Sequence, residues 1–384
     1  MKETFFEIEH LDPLGQGVSK KEKILFLEKT LPGEKGLAYI HKQSKGVLFG
    51  HIKSPKDLTE SSKDRIVPEC PHFWECSGCQ YLHTSYSKEL DFKKKALYQN
   101  LKTIISPEKF ENKITLHPSA SRSHYRNRVQ LHYDKKKEIL GLQNIKLKKI
   151  IEIPHCKILN EDILKRVNEL YKDQNWLKLV NKKTKKDSYG HIEIYKPEGR
   201  DESIAINQSY AHKGFTQVNQ VMNKRLKEVL QLKIKLLIPH QEGNILDLFG
   251  GNGNLTSQLD NPTTVVDSSP VKKEILSSNQ TFFQFNLYKK NALQEFIPLI
   301  EDKQFSGFII DPPRSGLKNL FEWSAHYNPN FIFYISCNPS VLTRDLNPLL
   351  KNGYQINGIH LLDFFPSTQH YETMIILKKN VHSK

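Results

Sequence analysis

Several short apolar segments in the C-terminal half of the chain are each long enough for a buried strand and are separated by stretches of helix length. They occupy residues 243–249, 263–267, 308–311, 331–336 and 374–377. Continuous apolar runs of this kind are typical of strands that are covered on both faces. From about residue 206 onward, the pattern therefore predicts a doubly wound α/β sheet. Ligands of such sheets bind beyond the carboxyl ends of the strands, so the residues that follow each strand are the first candidates for a site.

The N-terminal part of the chain has a different texture. Short β-rich runs at 23–27 and 46–50 are separated by Gly and Pro turns, which predicts a small β-barrel. The polar stretch 54–63 is interpreted as a linker. Beyond it, strand-like and helical patterns are mixed, and 85–102 has the period of an amphipathic helix. We therefore predict three domains, which cover residues 1–55, 56–205 and 206–384.

The charge of the chain indicates a polyanionic partner. Lys and Arg number 57 against 42 Asp and Glu, and the formal net charge is +15. Much of the excess lies in Lys clusters at 20–23, 93–95, 135–137, 146–149 and 182–186. Such clusters favour nucleic acid because neutralised phosphates release their counterions, although any single cluster can be an ordinary solvated surface.

The sequence does not favour a membrane protein. No apolar run reaches the roughly 18 residues that a spanning helix needs. The first residues, MKETFFEIEH, are acidic where a signal peptide has its apolar core. We therefore expect a cytoplasmic, monomeric protein without a membrane partner.

A glycine-rich turn follows the first strand of the predicted sheet and reads DLFGGNGNLT at 247–256. Glycines let the backbone turn tightly and approach a ligand closely. Asp267, at the end of the next strand, can accept hydrogen bonds from both ribose hydroxyls of a nucleoside cofactor. The spacing is not that of a dinucleotide-binding turn and the chain has no P-loop, so adenosylmethionine fits as well as a nucleotide.

Two further strands end in residues that suit covalent chemistry. The segment DPPRSG at 311–316 leaves its strand through two prolines, which fix the backbone and hold Asp311 at the edge of the sheet. Cys337 follows the next strand, in ISCNP at 335–339. A lone cysteine is often inert packing. At this edge, however, a thiolate could attack C6 of a uracil ring and make C5 reactive.

The covalent route also needs a base that removes the C5 proton. Glu372 and His370 lie just before the last strand and are the two candidates. Upstream, FTQVN at 215–219 opens the catalytic region, and the amide of Gln217 can donate to and accept from a polar ligand. An ordinary Gln near the start of a helix is the alternative interpretation.

Four of the five cysteines form a group of their own. Cys70, Cys76 and Cys79 are close in sequence, whereas Cys156 lies far downstream. An odd number of cysteines argues against a disulfide framework. Four thiolates suit a [4Fe-4S] cluster, and zinc stays open as the alternative. Either centre would hold Cys156 against the segment 70–79.

Taken together, these segments resemble the RNA uracil-C5-methyltransferases, especially the branch that acts on 23S ribosomal RNA. The family's motifs occur in order at 215–219, 247–256, DPPRSGL 311–317, ISCNPSVLTRDL 335–346 and DFFPSTQHYET 363–373. The resemblance covers nearly the whole chain and implies an adenosylmethionine-dependent enzyme that forms 5-methyluridine. It also implies a Rossmann-like catalytic domain, an N-terminal OB-like TRAM barrel that binds RNA, and a small α+β iron–sulfur domain between them.

The resemblance also implies roles for individual residues. Cys337 would be the nucleophile and Glu372 the base. The contacts to adenosylmethionine would come from Gln217, Phe249, Asn254, Asp267, Asn291 and Asp311. The ligands of a [4Fe-4S] cluster would be Cys70, Cys76, Cys79 and Cys156. The segment HYRNR at 124–128 resembles an RNA-facing segment of the family.

Alternatives stay open at this point. DPPRSGL is closer to the branch that acts on transfer RNA, so transfer RNA is the second candidate substrate. An exocyclic-amino methyltransferase would use the segment around Asp311 without Cys337 or Glu372. A non-catalytic RNA-binding iron–sulfur protein would keep the fold and transfer no methyl group.

Overall fold

The structure is a computed structural model of the 384-residue chain. It describes residues 2–21, 23–184, 187–196, 199, 201–209, 217–239, 243–300 and 303–380. Its two compact units are Met1–Ala96 with Ser119–Val221 and Phe364–His370, and Leu97–Pro118 with Met222–Asp363 and Tyr371–Lys384. Each unit is thus assembled from separate stretches of chain, whereas the three predicted domains are continuous. The predicted boundaries at 55 and 205 stay predictions.

The first unit begins with a seven-stranded sheet. Its strands are β1 Lys2–Glu7, β2 His10–Leu11, β3 Gly17–Ser19, β4 Leu25–Glu28, β5 Lys35–Ser44, β6 Val47–His51 and β7 Leu58–Glu60. They pair in the order β1-β5-β6-β4-β3-β2, and β7 pairs with β5. Strands β4 and β6 confirm the β-rich runs, and their alternate residues enter a core with Phe6, Leu27 and Ala38. The predicted linker was wrong in part, because β7 lies within it.

The middle of the chain supplies the following elements: α1 Tyr86–Leu101, α2 Pro107–Lys113, β8 Ile114–His117, β9 Arg128–Asp134, β10 Ile139–Asn144, β11 Lys149–Ile151, α3 Glu161–Tyr171, α4 Asn175–Lys183, β12 Tyr189–Tyr195 and β13 Ser203–Ile206. Helix α1 confirms the amphipathic pattern, and Leu97 and Leu101 are fully buried. Strands β11-β10-β9-β12-β13 form a second sheet of the first unit. Its core contains Trp176, Leu131 and two of the cysteines.

The second unit is built on a mostly parallel sheet. Its further elements are α5 Gln220–Leu237, β14 Asn244–Leu248, β15 Thr263–Asp267, β16 Gln280–Gln284, α6 Ala292–Phe296, β17 Phe305–Ile310, α7 Leu320–Tyr327, β18 Phe331–Ser336, α8 Leu342–Lys351, β19 Tyr354–Leu362 and β20 Glu372–Lys379. The strand order is β16-β15-β14-β17-β18-β20-β19-β8. The strands from β16 to β18 are parallel, and β20 is antiparallel to both of its neighbours.

This sheet confirms the predicted strands and adds three that were not predicted. Strands β14, β15, β17, β18 and β20 match the five apolar segments. The unpredicted strands are β16 at one edge, β19, and β8, which pairs in parallel with β19. Because the carboxyl ends of β15, β14, β17 and β18 meet at one edge, the residues that follow these strands are brought together there. In the part of the chain that the structure describes, no helix is long and apolar enough to cross a membrane.

Candidate active site and cysteine site

The glycine turn after β14 is shaped by a buried carboxylate. Oδ2 of Asp247 accepts a hydrogen bond from Thr256 Oγ1 at 2.9 Å, and burial raises the pKa of Asp247 to about 7. A Cβ at Gly250 would lie 2.7 Å from this carboxyl and 2.7 Å from Val265 Cγ1, so even alanine would force a shift. The turn therefore keeps its backbone close against the first strand of the parallel sheet.

The residues that flank this turn face the same edge. Phe249 directly follows β14 with a φ of 62°, a conformation that non-glycine residues rarely adopt. Its ring lies 5.3 Å from that of Tyr288, measured between centroids. Asp267, the last residue of β15, accepts hydrogen bonds from the backbone N–H groups of Gly251 and Ser269, at 3.1 and 2.8 Å. An aromatic surface and a carboxylate thus border the glycine turn.

The proline segment after β17 is held from α8. Both the backbone N–H of Leu317 and the hydroxyl of Tyr334 donate to Asp345 Oδ2, at 2.8 and 2.6 Å. Gly316 has a φ of 71°, and a Cβ on it would lie 2.2 Å from that same oxygen. The backbone of Asp311, at the start of the segment, donates to Leu248 O at 3.3 Å, which places Asp311 beside the end of β14.

The register of two neighbouring strands places the thiol of Cys337 opposite the carboxyl group of Glu372. Ser336, at the end of β18, pairs with Thr373 in the antiparallel strand β20. Continuing this ladder by one residue in each strand brings Cys337 to Glu372. Glu372 is 4% exposed, and its Oε2 atom has no hydrogen-bond partner among the described residues. Cys337 is partly exposed, so it can be reached from outside.

The electrostatics of this group differ from those of isolated side chains. Burial, and then the charges of Glu372 and Asp311, raise the pKa of Cys337 to about 11, while the Arg314 guanidinium hydrogen-bonds the thiol and lowers it. Burial and then Asp311 raise the pKa of Glu372 well above its usual value, and Arg314 again opposes this. Burial raises the pKa of Asp311 to about 6. Perturbed groups clustered at a sheet edge are typical of catalytic sites.

The first unit contains the second predicted site, the cysteine site, defined here as Cys70, Cys76, Cys79 and Cys156. All four line one cavity of about 20 Å³, beside Leu142 and Ile158. The backbone of Gly78 donates to Cys76 Sγ at 3.4 Å, and the backbones of Ile158 and Leu159 donate to Cys156. Their spacing does not form a finished metal site: within the described ranges, no group of three or more His, Cys, Asp or Glu side chains could hold a metal ion as placed.

The chemistry of the cysteine site nevertheless fits a bound metal centre. Burial and the neighbouring thiols raise the pKa of Cys79 well above its usual value, and burial raises the pKa of Cys156 to about 11. Four thiols crowded in an apolar environment resist ionisation, and positive metal ions remove that cost by binding them as thiolates. Backbone N–H groups that point at sulfur are also a means by which proteins tune iron–sulfur clusters.

Comparison with known proteins identifies the family. The profile of the family described as tRNA (Uracil-5-)-methyltransferase matches residues 155–380, which is more than half of the chain. The chain belongs to this family. It is an adenosylmethionine-dependent RNA (uracil-C5)-methyltransferase, which confirms the predicted family, reaction class, cofactor and RNA partner.

Individual relatives extend over nearly the whole chain. A 23S rRNA (uracil(1939)-C(5))-methyltransferase RlmD from Shewanella frigidimarina is 26% identical, with 97% of this chain and 95% of the relative covered. An uncharacterized RNA methyltransferase from Leptospira interrogans is 29% identical, with 95% and 92% covered. The solved Pyrococcus abyssi tRNA (uracil-54, C5)-methyltransferase, in complex with S-adenosyl-L-homocysteine, superposes with a TM-score of 0.68 at 19% identity, covering 97% of this chain and 100% of that one. This last likeness shows the fold, a Rossmann-like methyltransferase domain.

Within this methyltransferase, some of the predicted cofactor residues lie at the carboxyl edge of the parallel strands and others do not. Phe249, Asp267 and Asp311 lie at the carboxyl ends of neighbouring parallel strands. Asn254 instead exchanges side-chain hydrogen bonds with Asn223 of α5, at 3.0 and 3.4 Å, and so also holds that helix. Asn291 is exposed and precedes α6.

The remaining prediction for the cofactor site concerns Gln217, which belongs to the first unit. Its carbonyl accepts a hydrogen bond from the Asn127 amide at 3.5 Å. Phe215 and Thr216 of the same motif lie outside the described residues. The role of Gln217 toward the cofactor therefore stays a prediction.

The structure also shows residues that sequence reasoning missed. Arg314 lies in the DPPRSGL motif, but the sequence did not predict its hydrogen bond to the proposed nucleophile Cys337. Its side chain is otherwise exposed. Tyr288 donates to Gly316 O at 3.0 Å and lies against Phe249, which links the glycine turn to the proline segment. Asn286 follows the end of β16 by two residues, whereas Asn291 follows it by seven.

Two predicted RNA contacts need correction. Lys93, from one of the Lys clusters, is fully buried and forms an ion pair with Glu89 at 2.7 Å. Arg128, from the HYRNR segment, is 1% exposed and stacks 3.8 Å above the ring centroid of Tyr195. Both side chains are therefore buried within the first unit and are not presented on its surface. Lys185 and Lys186 of another cluster lie outside the described residues.

Proposed function

We propose that this methyltransferase forms 5-methyluridine in 23S ribosomal RNA by covalent catalysis, with Cys337 as the nucleophile and Glu372 as the base. The observation that supports this best is the register of β18 and β20, which brings the two side chains together at the edge where cofactor-binding turns meet. An exocyclic-amino methyltransferase would need neither a thiol nor a second carboxyl at that position.

The first step is attack of the Cys337 thiolate on C6 of the uracil ring. A C–S bond forms, the C5–C6 double bond is broken, and the electron pair moves to the O4 enolate, which makes C5 nucleophilic. The thiol proton is lost to solvent before attack. Since burial opposes this ionisation, the Arg314 guanidinium is the group that favours the thiolate.

The last step is removal of the proton from C5 by Glu372. The electron pair of the C5–H bond re-forms the C5–C6 double bond and expels the Cys337 thiolate. A buried carboxylate with a raised pKa is a stronger proton acceptor than a solvated one. The unpartnered Oε2 atom of Glu372 is consistent with an acceptor that is held for the substrate.

The residues that would hold adenosylmethionine are those around the glycine turn. Asp267 would accept hydrogen bonds from the ribose, and Phe249 offers an aromatic face. The family resemblance also implies contacts from Gln217, Asn254, Asn291 and Asp311. When bound, adenosylmethionine supplies the electrophilic methyl group that C5 accepts.

The choice of 23S ribosomal RNA rests on the relatives, and the N-terminal sheet supports an RNA partner in general. Relatives that cover 97% of this chain are named for 23S rRNA. The N-terminal sheet, which we propose is a TRAM barrel, has an aromatic face: Phe26 stacks on Phe49 at 5.5 Å, and Lys53 lies 3.4 Å above Tyr39. Aromatic rings beside lysines are the means by which OB-like barrels bind single-stranded RNA. Transfer RNA is the second candidate, because the named structural neighbour acts on it.

We further propose that the cysteine site binds a [4Fe-4S] cluster, with zinc as the alternative. The four thiols, the apolar lining and the N–H groups directed at sulfur support this. We also retain the expectation of a cytoplasmic monomer. Metal analysis of the purified protein distinguishes iron and sulfide from zinc, and sedimentation tests the monomer.

The test of the mechanism is a covalent trap. The protein is incubated with adenosylmethionine and RNA that carries 5-fluorouridine, and a denaturing gel then reports the protein–RNA adduct. Fluorine at C5 does not leave as a proton does, so wild type should be trapped and Cys337→Ala should not. On ordinary RNA, Glu372→Gln should accumulate the adduct because the C5 proton stays in place. Absence of a trapped band with both 23S fragments and transfer RNA would refute covalent catalysis.

A further inference from the structure

The segment that leads into the proposed base is fixed by hydrogen bonds at almost every residue. We name Phe364–His370 the approach segment; it belongs to the first compact unit, and only Tyr371 separates it from Glu372. Within this segment, Ser367 is fully buried and has a φ of 70°. A non-glycine residue in that conformation persists only where its surroundings hold it.

The partners of the approach segment come from several parts of the first unit. Asn219 donates to Phe364 O and Lys93 to Phe365 O, each at 3.1 Å. The hydroxyl of Tyr125 donates to Pro366 O, also at 3.1 Å. The backbone N–H of Ser367 donates to Glu89 Oε1 at 2.6 Å. These bonds leave the backbone of the segment little freedom.

Gln80 is the partner that links this segment to the cysteine site, since it directly follows Cys79. Its backbone N–H donates to Ser367 O at 2.8 Å. Its side-chain Oε1 accepts from the Gln369 N–H at 3.1 Å, and its Nε2 donates to Ser77 O at 2.9 Å. One amide side chain therefore bridges the loop between Cys76 and Cys79 and the residue three positions before Glu372.

We infer that Gln80 is a positioning residue for the proposed base and acts through the Gln369 N–H. The inference rests on the proposed function, in which Glu372 removes the C5 proton. Proton transfer requires the base to be within hydrogen-bond reach, and a displacement of about 1 Å can cost about a hundredfold in rate. Cys337 follows β18 and lies far from this segment in sequence, whereas Glu372 follows the segment after one residue, so we expect the attack of Cys337 to depend less on Gln80. Loss of the Gln80 bridge should therefore slow release of the product selectively.

The test compares Gln80→Met with Gln80→Glu and with Glu372→Gln. Gln80→Met keeps the length of the side chain and removes both amide hydrogen bonds. On ordinary RNA with adenosylmethionine, it should accumulate the protein–RNA adduct and turn over about tenfold more slowly, as the loss of about 1.4 kcal/mol predicts. Its rate of trapping by 5-fluorouridine RNA should stay within about twofold of wild type, since that rate reports attack and methyl transfer and does not include proton removal.

Gln80→Glu is the conservative variant. Its carboxylate still accepts from the Gln369 N–H and should release product at close to the wild-type rate. Gln99→Met, at an exposed position of α1, is the matched control for the substitution itself. Thermal midpoints and metal content are measured for each variant, and trapping rates are compared at equal amounts of folded protein.

The outcomes separate the inference from the function on which it rests. If Glu372→Gln accumulates the adduct and Gln80→Met releases product normally, the inference is wrong and the mechanism stands. If Gln80→Met slows trapping and release equally, or if Gln80→Glu stalls as fully as Gln80→Met, Gln80 has only a structural role. If Glu372→Gln accumulates nothing and wild type is not trapped, the mechanism and the inference fall together.

Discussion

Arg314 is the group whose charge should decide how much of Cys337 is ionised at neutral pH. The pKa of Cys337 is raised to about 11 by burial and by two carboxylates, and Arg314 is the nearby cation that opposes them. With a pKa of about 11, about one thiol in a thousand is ionised at pH 8. In the proposed mechanism only the thiolate attacks C6, so the rate of attack should be proportional to this small fraction.

The substitution Arg314→Gln removes the positive charge and keeps an amide that can donate a hydrogen bond. A unit charge at about 4 Å is worth about 4 kcal/mol at an effective dielectric constant of about 20. Arg314 is exposed, so solvent screens most of this and we expect the pKa of Cys337 to rise by about one unit. At pH 8 the rate of adduct formation should fall about tenfold.

The assay is the pseudo-first-order rate of trapping by saturating 5-fluorouridine RNA, measured from pH 6.5 to 9.5 at constant ionic strength. Both proteins should show a rate that rises about tenfold per pH unit, with the Arg314→Gln profile displaced to higher pH. Lys318→Gln, an exposed position in the same segment, controls for the loss of one positive charge near the RNA. Superimposable profiles for Arg314→Gln and wild type would show that another group activates the thiol.

Three other perturbations test the remaining features. His117 Nε2 lies 3.0 Å from His360 Nδ1, and burial lowers their pKa values to about 4 and about 3. The unfolded chain therefore binds more protons below about pH 6.5, so the free energy of unfolding should decrease as the pH is lowered through that range. His360 should account for about 2 kcal/mol of this decrease between pH 7.5 and 5, and His360→Leu should remove that part, as measured by urea unfolding at each pH. Gly316→Ala should destabilise the protein by about 1–3 kcal/mol and lower turnover, because its Cβ would meet Asp345 Oδ2. Gly33→Ala is the control, because Gly33 has a φ of 83° and no atom within 4 Å of an added Cβ. It should lower the free energy of unfolding less than Gly316→Ala does, since only the backbone conformation is strained. Cys79→Ser should abolish bound iron and visible absorbance in the purified protein, whereas retention of full metal content would exclude Cys79 as a ligand.

Five strands of the catalytic sheet could be predicted from sequence because each of them is a buried, local apolar run. Strand β16 could not, since it lies at the edge of the sheet and its residues are half exposed. Strand β8 pairs with β19, which lies more than 200 residues downstream. A local sequence pattern cannot predict pairing with so distant a strand. Residues 97–118 were therefore assigned to the predicted central domain, whereas the structure places them in the second unit.

The candidate site shows the same limit at the level of single residues. Cys337 was found because thiols are rare and its position after a strand is a sequence property. Arg314 was missed because one arginine in a basic chain resembles any other. Lys93 was misinterpreted for the related reason that a run of lysines looks like a surface, although its ammonium is buried against Glu89. The partner of a charged side chain is a tertiary property, and it decides whether that charge meets solvent, protein or ligand.

Burial has opposite consequences for the two proposed catalytic groups. It makes Cys337 harder to ionise, which slows attack, and it makes Glu372 a stronger proton acceptor, which favours release. In a site that excluded water and had no nearby cation, proton removal in the last step would be faster and thiolate attack in the first step would be slower. Arg314 lowers the pKa of both groups, and it also hydrogen-bonds the thiol of Cys337. In the proposed mechanism, Arg314 therefore raises the small ionised fraction of Cys337 that the first step needs, at the edge of the sheet where Glu372 accepts the proton in the last step.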